Sequence, residues 1–158
     1  MDSEEKKEAP VYDVEAHYRE LEKKIAASGG SFDLGRIRAA FEVADRAHAG
    51  QKRKDGTPYV SHCIAASIIA VEMGLDEDSI VASLLHDCVE DTAITHEDIA
   101  KSFGAPVADL VEGVTKLTRV TFMSKEEEQM ENLRKMLLAM TNDIRVILIK
   151  MADRKSVV

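Results

Sequence analysis

Four ionisable residues at the end of a largely apolar segment limit what this chain can fold into. His86-Asp87 directly follow the apolar run 80–85, and Glu90-Asp91 come four positions later. On a helix, residues four apart stack along one face, so His86 lies beside Glu90 and Asp87 beside Asp91. An imidazole and three ionised carboxylates crowded together repel one another unless a cation lies between them. The segment therefore predicts a helix that helps to hold a divalent metal for a hydrolytic reaction.

The alternative to a metal site is an ordinary helix that carries a few polar residues. A His-Asp dipeptide alone is a weak signal, and a single His in an amphipathic segment is usually a core or surface residue. Burying four ionisable groups without compensation, however, costs several kcal/mol for each charge. Mixed imidazole and carboxylate ligands suit Mn, Fe, Zn or Ni better than Ca, which prefers oxygen ligands. Further candidate partners for such a site are His48, His62 and Asp153.

Composition and charge describe the class of protein. The chain has 158 residues, of which 45% are hydrophobic and 32% charged, which is typical of one soluble globular domain. Only 4% of the residues are aromatic, so aliphatic side chains must form most of the core. The net charge of -8 argues against binding of DNA, which requires a basic face. An anionic substrate would need local Arg or Lys residues and a metal.

The cysteines and the apolar segments predict a cytoplasmic protein without membrane contact. Cys63 and Cys88, the two cysteines of the chain, are interpreted as reduced thiols. The charged residues 1–8 contain no apolar signal region. The longest apolar stretch, near residues 64–71, is too short to span a bilayer.

Helical periodicity and capping patterns predict an all-α bundle of about eight helices, without strands or internal repeats. The run 146–149 is continuous enough to indicate a buried helix. Because that helix has no Gly or Pro stop signal before residue 158, we expect a fragment or truncation of a longer polypeptide. The predicted helices run from about 13 to 27, from a Ser31 cap to 49, from 60 to 73, from an Asp76 cap through 91, from a Thr95 cap to 103, from 106 to 118, from 124 to 140, and from 142 or 143 onward.

A basic loop over residues 51–58 contains Arg53 and Lys54, followed by an Asp-Gly pair and a Pro. A basic loop is more often simply solvated. Beside an acidic metal site, however, it would act as an anion clamp, because Arg offers a planar donor fork for phosphate or a stacking face for a base. The residues alone leave both interpretations open.

The order of these motifs resembles the HD superfamily of metal-dependent phosphohydrolases, which is defined by a His, a His-Asp pair and a distal Asp. His62, His86-Asp87 and Asp153 occur in that order. The likeness is strongest to the hydrolase domain of Rel/SpoT-type alarmone enzymes and covers roughly residues 31–154. The stretches that support it are 47–62, 84–91, 111–117, 131–140 and 142–154.

This resemblance implies an HD-domain helical bundle that removes pyrophosphate from the 3′ position of (p)ppGpp, giving GDP or GTP, with bound Mn²⁺. Glu90 and Asp91 would position or activate the attacking water, and Arg53 and Lys54 would contact the guanine and phosphates. Two helices and two flanking segments would hold the metal. Its implied ligands are His62, His86, Asp87 and Asp153.

Two departures from the family pattern are present, of which the first is a local change at a helix start and the second is expected to affect substrate binding and helix packing at the C-terminal end. Cys63 stands where the family usually has Pro, and Val157 stands where it has an Asn that contacts the nucleotide. We expect residues 1–12 to be a flexible segment and residues 13–158 to be the hydrolase domain, cut short at its C-terminal end. The last helix is expected to fray after about Arg154.

Three functions agree with these residues. The first is (p)ppGpp 3′-pyrophosphohydrolase activity in the stringent response, in a chain that would form the front of a longer enzyme also acting as a GTP pyrophosphokinase. The second is an HD phosphohydrolase for another nucleotide. The third is a catalytically impaired module that binds metal or nucleotide and regulates a partner. The metal, the preference between ppGpp and pppGpp and the oligomeric state stay open.

Overall fold

The computed structural model describes residues 12–118 and 144–156 of the chain. These residues form seven helices, numbered here in chain order, and one isolated antiparallel bridge between Lys52 and Pro58. The predicted all-α fold is confirmed, whereas the predicted helix over 124–140 lies outside the described residues. The helices are α1 (Val14–Ala27), α2 (Leu34–Ala47), α3 (Val60–Glu72), α4 (Glu77–Asp91), α5 (His96–Phe103), α6 (Ala105–Thr118) and α7 (Arg145–Ser156).

Polar caps determine where several helices begin. The Asp76 side chain accepts a hydrogen bond from the Ser79 amide at the start of α4, as predicted. Thr95 and Asp98 form the predicted capping box at α5. The predicted start of α2 was wrong, because Asp33 rather than Ser31 caps this helix. The Asp33 carboxylate accepts from the Arg36 amide at 3.2 Å, which satisfies one of the free amides of the first turn.

Helices α3 and α4 form the centre of the bundle. Helix α3 packs against α1, α4 and α7, and α4 also packs against α2 and α6. Both central helices are buried on most sides, as expected for helices without a polar face. Polar side chains in the middle of these helices, such as Ser67, Ser83 and His86, are therefore shielded from water.

Helix α7 brings the distal part of the chain onto α3 and α6. The buried face of α7 is formed by residues that recur three or four positions apart, as expected for one side of a helix. These residues are Val146, Ile149, Ala152 and Asp153. Met151 on the opposite side is 55% exposed, so this helix lies at the edge of the described bundle. The helix continues to Ser156, and the expected fraying after about Arg154 stays a prediction.

None of the helices in residues 12–118 and 144–156 is both long enough and apolar enough to cross a membrane.

Helices α6 and α7 approach each other closely at Gly113. A Cβ atom added at Gly113 would lie 2.6 Å from Cγ2 of Val146. Val146 is buried and β-branched, so its side chain has little freedom to move aside. Glycine at this position therefore allows the close packing that places α7 against the rest of the bundle.

Replacing Gly113 by Ala is expected to destabilise the protein by about 1 kcal/mol. Overpacking costs about 1–3 kcal/mol, and the better helix propensity of Ala returns up to about 1 kcal/mol. Urea unfolding would measure the change. The control is Gly35→Ala in α2, where an added Cβ meets only the Asp33 carboxylate at 3.4 Å. A Gly113→Ala protein as stable as the parent would contradict the tight contact.

Candidate metal centre

Three helices bring together the four residues that the family order singled out. His62 lies in the first turn of α3, His86 and Asp87 lie on α4, and Asp153 lies on α7. One potential ligand atom from each lies within 4.8 Å of all the others. The prediction of two helices and two flanking segments was wrong, because all four side chains project from helices.

The Asp153 carboxylate is the hub of this group. Its Oδ1 atom lies 2.6 Å from Nε2 of His62 and 3.0 Å from Nε2 of His86. Its Oδ2 atom accepts a hydrogen bond from the Lys150 ammonium at 3.0 Å. Both imidazoles therefore direct the same ring nitrogen towards one oxygen atom.

The second carboxylate and a neighbouring hydroxyl complete the group. Asp87 Oδ1 lies 3.3 Å from Nε2 of His86, and its Oδ2 lies 3.8 Å from Nε2 of His62. The Tyr59 hydroxyl donates to Asp87 Oδ2 at 3.1 Å. On the other side of His86, Nδ1–H donates to the Ser83 carbonyl at 3.0 Å, which orients the ring so that Nε2 points into the group.

The electrostatics of this group favour positive charge at its centre. Burial alone would lower the pKa of His86, but the hydrogen bond to Asp153 and the charge of Asp87 outweigh it and raise the pKa to about 9. Burial alone would raise the pKa of Asp153, yet the hydrogen bonds from His62 and His86 hold it well below its usual range. Two imidazole nitrogens and two carboxylates around one point are ligands that could hold a divalent metal ion.

Glu90 and Asp91 lie on the last turn of α4, and both side chains are exposed. Residual burial and the negative charge of Asp87 raise the pKa of each carboxyl above its usual value. Both residues therefore lie about one turn further along α4 than Asp87, and they are not part of the group of four.

Arg53 and Lys54 lie in the loop that joins α2 to α3. The loop is closed by hydrogen bonds from the Arg53 amide to the Thr57 carbonyl at 2.8 Å and from the Tyr59 amide to the Gln51 carbonyl at 2.9 Å. Across residues 12–118 and 144–156, neither cationic side chain forms a salt bridge or a side-chain hydrogen bond. Both charges are therefore available to an anion, although neither contacts the group of four.

Sequence reasoning missed two side chains that contact the group. Tyr59 precedes His62 by three positions, and Lys150 precedes Asp153 by three. Lys150 and Asp153 thus share one face of α7, and Tyr59 is the residue directly before the first turn of α3, which carries His62; this spacing was the available signal. His48, a further candidate from sequence, is buried but lies outside the group of four.

The two cysteines are free and buried, as predicted for reduced thiols. Burial raises the pKa of Cys63 well above its usual value and that of Cys88 to about 12. Burial thus favours the thiol form of both groups, and neither cysteine belongs to the group of four.

Comparison with known proteins decides the family. The model of the HD domain family matches residues 40–156, which include all four clustered residues. The chain belongs to the HD domain family. A bound divalent metal is typical of HD domains, and the clustered imidazoles and carboxylates agree with that property.

Relatives of this HD domain include the bifunctional (p)ppGpp synthase/hydrolase SpoT of Escherichia coli K12, which is 53% identical over 121 residues. That match covers 77% of this chain and 17% of the relative. A GTP pyrophosphokinase of Myxococcus xanthus is 50% identical over 125 residues, covering 77% of this chain and 16% of the relative. The HD domain thus spans about a sixth of the length of the curated relatives it matches.

A solved structure shares the fold of this HD domain. It is described as a metazoan ortholog of SpoT that hydrolyses ppGpp and plays a role in starvation responses. The TM-score is 0.63 at 33% sequence identity, and the match covers 80% of this chain and 70% of that chain.

Proposed function

We propose that this HD domain hydrolyses the 3′-pyrophosphate of (p)ppGpp, yielding GDP or GTP and pyrophosphate. The observation that carries the proposal is the group of His62, His86, Asp87 and Asp153, with an acidic pair following on α4. Relatives with 50–53% identity carry the name guanosine-3′,5′-bis(diphosphate) 3′-pyrophosphohydrolase, and these include proteins of Escherichia coli O157:H7 and Haemophilus influenzae.

The proposed metal is Mn²⁺, and its proposed ligands are the four clustered residues. Mixed nitrogen and oxygen ligands suit Mn²⁺ better than Ca²⁺. When bound, the ion would supply positive charge against the phosphate oxygens and make a nearby water more acidic. The hydrogen bonds from Tyr59 to Asp87 and from Lys150 to Asp153 would orient the two carboxylates for this role.

Glu90 and Asp91 are the proposed catalytic residues. A carboxyl with a raised pKa is a better proton acceptor than an ordinary one, because its basicity is closer to neutral pH. The pKa of both side chains is raised, and both lie within one helical turn beyond Asp87. Their proposed role is to orient the attacking water and to accept its proton.

Arg53 and Lys54 are the proposed substrate-binding residues. The net charge of -8 opposes a nucleotide that carries two diphosphates, so local cations are required. The guanidinium of Arg53 can donate to phosphate through two N–H groups or stack on guanine, whereas Lys54 offers a point charge. Their free side chains and the docking of their loop on the end of α4 support this role.

The experiment is hydrolysis of ppGpp, pppGpp and a panel of other nucleotides by the purified protein with Mn²⁺, followed by chromatography of the products. We expect GDP or GTP together with pyrophosphate, and no turnover after removal of divalent ions with EDTA. Turnover of another nucleotide alone would favour a different HD phosphohydrolase. Binding of Mn²⁺ and nucleotide without turnover would instead indicate a regulatory module.

A further inference from the structure

A buried histidine next to the proposed site belongs neither to the proposed metal ligands nor to the proposed catalytic or substrate-binding residues. His48, directly after α2, is 2% exposed. Its ring centroid lies 4.8 Å from that of Tyr59. Its Nδ1 atom lies 3.1 Å from Oε1 of Gln51, and its Nε2 atom lies 3.9 Å from Sγ of Cys88. The buried ring therefore has polar partners for both nitrogens within the protein, as buried polar groups usually do.

The direction of each hydrogen bond in this group follows from the Gln51 side chain. Its Nε2 atom donates to the Asp91 carbonyl at 3.3 Å, since a carbonyl can only accept. Oε1 of Gln51 is therefore the acceptor, and Nδ1 of His48 carries the proton that it accepts. Nε2 of His48 is then the acceptor in its contact with the Cys88 thiol.

This directed chain of hydrogen bonds begins and ends on α4. Cys88 and Asp91 both belong to the last turn of that helix, whereas His48 and Gln51 belong to the segment that follows α2. The last four carbonyls of a helix lack partners within the helix, and that of Asp91 is one of them. Gln51 satisfies this carbonyl from outside and ties the end of α4 to the basic loop.

We propose that His48 and Gln51 are positioning residues that hold the last turn of α4, with Glu90 and Asp91, in register with the loop that carries Arg53 and Lys54. The proposal rests on the function proposed above. Neither residue touches the reacting atoms. The pair instead maintains the distance between the acidic groups and the cationic groups, because Gln51 bonds to both segments through its backbone and its side chain.

The test replaces Gln51 by Met, which has similar length but forms neither hydrogen bond, or by Glu, which can accept from His48 but cannot donate to Asp91. The control is Lys23→Met, on the exposed face of α1. Amide hydrogen exchange of residues 88–92, kcat for ppGpp and affinity for Mn²⁺ are measured for each protein. Both Gln51 variants are expected to exchange about five- to tenfold faster in this turn, as the loss of one hydrogen bond implies.

We also expect kcat to fall about tenfold in both variants, since small displacements of catalytic groups are costly, with Mn²⁺ affinity within twofold of the parent. Unchanged exchange, or faster exchange with an unchanged kcat, would overturn the proposal. A parallel loss of Mn²⁺ affinity would also overturn it, because Gln51 would then act through the metal ligands. If the parent protein hydrolyses no nucleotide, the proposed function is wrong independently of this proposal. Amide exchange then still shows whether Gln51 stabilises the last turn of α4.

Discussion

An Asp153→Asn variant is expected to bind Mn²⁺ at least about 100-fold more weakly than the parent protein and to lose detectable hydrolysis. Asp153 presents the oxygen atom that both imidazoles face, at 2.6 and 3.0 Å. An amide has the same shape but no negative charge, so it is a weaker ligand for a cation and cannot offset the charge of His86. Loss of residues that only support metal ligands already costs about 10–100-fold in metal affinity, and loss of a direct ligand should cost no less.

Calorimetric titration of the apoprotein with Mn²⁺ would measure this effect, with circular dichroism to confirm that the helices persist. Asp45→Asn is the matched control, because it makes the same change on the exposed face of α2. An affinity within threefold of the parent would show that Asp153 is not a ligand, and the proposed metal centre would need another acid.

Replacing Glu90 by Gln and Asp91 by Asn together is expected to lower the hydrolysis rate about 100-fold or more while the fold and most metal binding persist. The amides match the acids in shape but cannot accept a proton at neutral pH, and general acid–base catalysis contributes about 10²–10⁴-fold to rates. Both carboxyls are exposed and lie outside the group of four, so their loss should leave that group in place.

Single-turnover hydrolysis of ppGpp at saturating Mn²⁺ would measure this second effect. The control is Glu20→Gln with Asp45→Asn, which removes the same two charges from exposed positions on α1 and α2. More than about 10% residual activity in the test variant would contradict a role in proton transfer. Loss of metal together with loss of rate would make one of these two residues a ligand.

The local elements of this protein were predictable because they depend on residues close together in sequence. The Asp76 cap and the Thr95–Asp98 capping box are contacts over three positions, and both occur as predicted. The start of α2 was misplaced because Ser31 and Asp33 are both good capping residues. The choice between them depended on which of them reached the free amides of the first turn.

The residues of the candidate site were also predictable in identity, although their roles remain proposals. The His86-Asp87 pair stood out because adjacent ionisable groups in an apolar segment require compensation. His48, His62 and Asp153 were candidate partners by residue type, and the family order alone selected His62 and Asp153 among them. His48 and His62 looked equivalent by residue type, and the sequence offered no physical means to separate them.

Tertiary packing made the decisions that the sequence by itself left open. His62 and Asp153 are 91 positions apart, and they meet because α7 packs across α3. Helix α7 also approaches α6 closely at Gly113 and Val146, a contact that no periodicity reveals. Sequence therefore determined the helices and the ionisable residues, since short-range hydrogen bonds and burial costs act locally. Only the packed bundle determined which of those residues share one centre, because that depends on contacts between distant helices.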